Sequence, residues 1–184
     1  MHAAKEIAVI SVFTALLIGG QFVLSFVAGV EIVTVLLLCF CYSFGAVRGM
    51  LAATAFSLLR CIIFGFFPTV VILYLIYYNL FAAVFGFAGR KFNREEGLFP
   101  HALAVVLAVI LTCIFTLSDD LITTAFYQMD RGAAVAYFYS SLPVMFAQSV
   151  SSFVTVLLLF RPLVSVFGKV NLQPGKRSKE KILY

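Results

Sequence analysis

The chain's charged residues leave four long stretches empty. None lies between Glu6 and Glu31, Arg60 and Arg90, Glu96 and Asp119, or Arg131 and Arg161. Each gap is long enough for an apolar helix to cross a hydrocarbon core, which takes about 20 residues at a rise of about 1.5 Å. The apolar runs are continuous rather than alternating, so a β-barrel does not fit them. Of the 184 residues, 63% are hydrophobic and 11% charged. A small soluble domain leaves too much of its chain exposed to hide that much apolar surface, so lipid must be the solvent.

The expected fold class is therefore an all-α membrane protein, a bundle of six transmembrane helices. The apolar runs are residues 7–28, 32–46, 50–67, 70–88, 100–119 (or to 127 if the helix continues) and 133–160. The first is too long for a secretory signal core and is followed by further spans, so it reads as a retained helix. Residues 1–168 form the membrane domain and 169–184 a basic cytoplasmic tail. With the N-terminus inside, eleven of the thirteen Lys and Arg residues lie on the inner side. That bias favours an orientation with both termini cytoplasmic. The four cysteines, Cys39, Cys41, Cys61 and Cys113, fall inside apolar runs and read as small buried hydrophobes.

Arg60 is the most informative residue, because a charge at membrane depth faces protein or a wet cavity. Gly49, Ala52, Ala53 and Ser57 share its helical face, which marks that face as packed. Arg60 can belong to a site, to a structural ion pair, or to the outer interface by snorkelling. Glu31, Asp119 and Asp120 are its candidate partners, all toward the outer side. Thr112, Thr116, Asp119 and Thr123 are expected to share an inward polar stripe. Tyr74, Tyr77, Tyr78 and Phe81 form an aromatic stripe suited first to packing and second to stacking on a ligand, with Asn79 off it. Gln148 sits near mid-membrane and needs partners within the bundle. In the first helix Ala8, Ser11, Ala15 and Gly19 line up at helical spacing. Such small residues serve an internal helix contact or the docking of another subunit.

The chain has no phosphate-binding loop, no nucleophile elbow and no His or Glu pair at metal-ligand spacing. No catalytic residue, resident cofactor, metal or nucleic-acid partner is expected. With these features in view, the chain resembles the substrate-binding S components of energy-coupling factor (ECF) transporters. The similarity spans nearly the whole chain. It rests on the first-helix stripe, Gly29-Val30-Glu31-Ile32-Val33-Thr34, Phe64-Gly65-Phe66-Phe67-Pro68, and Leu142-Pro143 through Phe160-Arg161-Pro162-Leu163.

The resemblance implies capture of a vitamin or related micronutrient at the outer face, in a pocket between the outer loops and helices four to six. It also implies docking, through the first-helix stripe, onto a transmembrane coupling subunit that carries two cytosolic ATPase subunits. Here Ser11 and Gly19 flank Ala15 where the family has paired alanines. Within that reading Glu31, Arg60, Asp119 and Asp120 line or gate the pocket, with Tyr74 and Tyr78 as stacking surfaces and Gln148 as a further binding residue. The alternatives are a stand-alone secondary transporter of a small organic solute, with Arg60 and buried acids as a coupling site, and a membrane enzyme built on Asp119-Asp120.

Overall fold

The computed structural model describes residues 2–26, 32–92 and 97–170. Six helices follow one another: α1 (His2–Leu24), α2 (Val33–Phe44), α3 (Ala46–Phe64), α4 (Pro68–Lys91), α5 (Leu98–Phe126) and α6 (Arg131–Lys169). Five of them are long and apolar enough to cross a bilayer. Large apolar side chains point outward along them, such as Ile62 at 78% and Phe146 at 72% exposure. Water would penalise that surface and lipid does not. The protein is a multi-pass helical membrane bundle.

The short helix α2 organises the rest. Its 12 residues carry no charge, and all of them are buried. A helix apolar on every side belongs inside other helices, and α2 touches all five of its neighbours. At about 1.5 Å per residue it is only about 18 Å long, so it fills the middle of the bundle without crossing unaided. The sequence reading ran this helix on to residue 46, whereas it stops at Gly45. There φ is +91°, a conformation that glycine adopts freely. The chain turns on that single residue and α3 begins at once. Gly49 lies inside α3 against Cys41 and Ala82.

Gly65, at φ +101°, ends α3. Pro68 opens α4 at its first turn, where the missing N–H costs nothing. α4 then lies close against the α2–α3 turn. A methyl group on Gly86 would overlap the Ala46 backbone, and one on Gly89 the Tyr42 carbonyl. α5 and α6 form an antiparallel hairpin. Asp130 caps α6 by accepting from the backbone N–H groups of Gly132 and Ala133. α6 has 39 residues, about 58 Å at the helical rise, so it projects well beyond a core of about 30 Å. It reaches Lys169, past the expected limit of 160, and Pro143 and Pro162 stay inside it.

The helices alternate in direction, so the start of α1 and the end of α6 lie toward the same end of the bundle, where Ala8, Phe44, Phe167 and Val170 border one groove. Glu6, Arg48 and Arg90 gather at that same end. Arg60, Asp119 and Asp120 lie toward the other.

Candidate functional site

The polar groups at this second end are placed by three helices. Arg60 stands one turn before the end of α3. Its face carries Gly49, Ala52, Ala53 and Ser57, all buried, as the spacing predicts. The guanidinium carbon sits 4.2 Å from the centre of the Tyr74 ring and 5.5 Å from that of Phe64. A cation held over aromatic faces is favoured by their quadrupoles, more so where water is excluded. Nε is buried and has no hydrogen-bond partner among the described residues. A buried N–H of a charged group left unmatched costs more than a neutral one. Arg60 is thus positioned by π contacts while a donor stays open.

Arg60 forms no contact ion pair with Asp119 or Asp120. Among the described residues, Arg48 with Glu6 is the one ion pair. Asp119, half-buried on α5, lies within electrostatic reach of both Arg60 and Asp120. Asp120 is 1% exposed, and its carboxylate accepts a short hydrogen bond from the Ser141 hydroxyl of α6. The inward stripe of α5 is therefore Thr112, Thr116, Asp120 and Thr124, all buried. The sequence reading placed Asp119 and Thr123 on it. A strict four-residue step selects the neighbouring pair, and this rotates Asp119 toward Arg60 instead.

Gln148 does find a partner inside the bundle: its side-chain carbonyl accepts from Thr116 at 3.0 Å. With Cys113 against Ser149 at 3.3 Å and Ser141 on Asp120, it forms a polar seam down the α5–α6 interface. No hydrogen bond joins Gln148 to Arg60 among the described residues. The seam binds the two helices to each other, a common use of polar groups in lipid.

Tyr74 and Tyr78 are both buried. Their rings pack on each other at 4.9 Å and against Phe56 and Phe115. Both rings thus serve packing, and Tyr74 also meets the Arg60 guanidinium. Asn79 is off this stripe, as read, and exchanges hydrogen bonds with Thr54 at 3.0 and 3.1 Å. Glu31 lies outside the described residues.

On α1, Ala8, Ser11, Ala15 and Gly19 are all exposed, and nothing lies within 4 Å of the Cβ position at Gly19. The stripe faces outward, and the buried face of α1 is Phe13, Thr14 and Leu17. Beside the stripe, Ala8, Phe13, Phe40 and Phe167 border an apolar groove of about 300 Å³.

Sequence reasoning missed Ser141, Phe64 and Gln21. The Gln21 side-chain oxygen is buried near the end of α1, with no hydrogen-bond partner among the described residues. An amide in an otherwise apolar run was a readable signal of inward placement. Nothing local marks Ser141, which only the hairpin register brings to Asp120.

No family model matches the chain, and no curated protein or solved structure matches it significantly.

Proposed function

We propose that the chain is the substrate-binding S component of an ECF-type transporter. It captures a vitamin-like micronutrient at the outer face of a prokaryotic cell membrane, for ATP-driven uptake by a separate module. The observation that carries this reading is Arg60: a cation within a membrane bundle, flanked by Tyr74 and Phe64, with an Nε that has no partner among the described residues and Asp119 in reach. A site of that kind recognises a solute bearing a carboxylate or phosphate beside hydrogen-bond donors. The outward stripe Ala8, Ser11, Ala15 and Gly19 supports docking to a transmembrane coupling subunit with two cytosolic ATPases. Cytoplasmic termini are supported by the start of α1 and the end of α6 lying toward the end of the bundle that carries Arg48 and Arg90.

Mass spectrometry of small molecules retained by the purified chain tests the capture role. A retained micronutrient with an anionic group, lost in Arg60→Gln but kept in Lys91→Gln, is the expected result. Protein that carries no solute, or that keeps it in Arg60→Gln, would refute the site.

A stand-alone secondary transporter is the second reading, favoured by the fully buried Asp120 as a coupling carboxylate. It requires uptake by liposomes containing this chain alone, driven by an ion gradient. The S-component reading requires the module and ATP.

A further inference from the structure

At the opposite end of the bundle, the start of α1, the α2–α3 turn and the end of α4 enclose a pocket of about 880 Å³. That volume lies within the range of small-molecule sites. Gly45 makes the turn, and the absence of side chains at Gly86 and Gly89 brings α4 against it. The charged groups of the wall are Glu6, Arg48 and Arg90. Glu6 is committed to Arg48, accepting from its Nε at 3.2 Å and from one terminal nitrogen. Arg48 also donates to the Phe44 carbonyl at 3.2 Å, so its guanidinium is fixed in place with two N–H groups unspent. Arg90 is exposed and has no acidic partner among the described residues. The wall as a whole carries a net positive charge.

The pocket rim also includes Val47, Leu51 and Phe87, which are 73%, 55% and 62% exposed on the outside of membrane-crossing helices. A cationic recess that opens onto an apolar, lipid-facing wall matches one kind of molecule at both of its ends. We propose that the pocket holds the headgroup of an anionic phospholipid from the adjacent leaflet. Its phosphate would meet Arg90 and the fixed Arg48, and an acyl chain would lie along Val47, Leu51 and Phe87. Basic recesses between membrane helices bind anionic headgroups in this way. A free anion would gain the charges but leave the apolar rim unused. The assignment depends on neither the transport reading nor which side of the membrane this end faces.

Native mass spectrometry of the full chain in detergent, titrated with phosphatidylglycerol or with phosphatidylcholine, tests it. Phosphatidylglycerol is expected to be retained about five-fold more than phosphatidylcholine, the worth of one basic side chain at an anionic headgroup. Arg90→Gln should remove that preference. Lys91→Gln, which neutralises an exposed neighbour outside the pocket, should keep it. Both positions are exposed, so the fold is expected to survive in each variant. Equal retention of the two lipids would overturn the proposal. An equal loss in both variants would also overturn it, by reducing the effect to general surface charge. Displacement of phosphatidylglycerol by excess inorganic phosphate would make this a free-anion site and overturn it as well.

Discussion

Arg60 and Asp120 meet the same problem, a charge within a membrane bundle, in different ways. Asp120 is fully enclosed and takes a hydroxyl from Ser141. Arg60 leans on two aromatic rings and keeps a donor unmatched among the described residues. The first arrangement suits a structural tie and the second a group awaiting a ligand. Ser141→Ala should therefore lower the unfolding free energy in micelles by about 1 kcal/mol, in the range for interhelical hydrogen bonds in membranes, and leave solute affinity unchanged. Arg60→Lys should weaken solute binding about tenfold or more with little change in stability, because an ammonium lacks the planar fork for an anionic group. Calorimetric titration with the solute identified by mass spectrometry reads both variants. Arg60 and its buried helical face were legible from sequence, because a lone charge in an apolar run has few physical solutions. The choice between Asp119 and Asp120 was not. One residue is a rotation of about 100° on a helix, and the Ser141 partner that decides it is set by the α5–α6 register.

Among the helices, α2 and α4 show how local chemistry fixes close packing. Gly86 and Gly89 leave no room for a methyl group against Ala46 and Tyr42. Gly89→Ala should thus cost about 1–3 kcal/mol as an overpacked contact, seen as a lower unfolding midpoint in detergent. Gly19→Ala, with nothing near its Cβ position, should cost little. The number and order of the helices were readable from the apolar runs, since lipid enforces them. Three things were not. α2 ends at Gly45, a site where one residue in the left-handed region suffices for a turn. α6 extends far past the apolar run, because prolines 143 and 162 are accommodated within it. The tyrosine stripe of α4 packs, as its spacing suggests, and the neighbours that meet it, Phe56, Phe115 and Arg60, come from other helices that no local pattern names.

For the molecule as a whole, charge is divided between two ends with different roles. One end gathers basic side chains around the start of α1, the end of α6 and a recess of about 880 Å³. The other holds Arg60 and the paired aspartates. Between them α1 turns a stripe of small residues outward. On the S-component account that stripe is where the energizing module docks, so the chain should not be self-sufficient. The most direct measurement is purification of the chain in mild detergent from the membranes of the cell that produces it. The account expects a complex with a large membrane subunit and two ATPases, lost in an Ala15→Trp variant that still folds and still retains solute. A chain that comes out alone and catalyses gradient-driven uptake by itself in liposomes would contradict it.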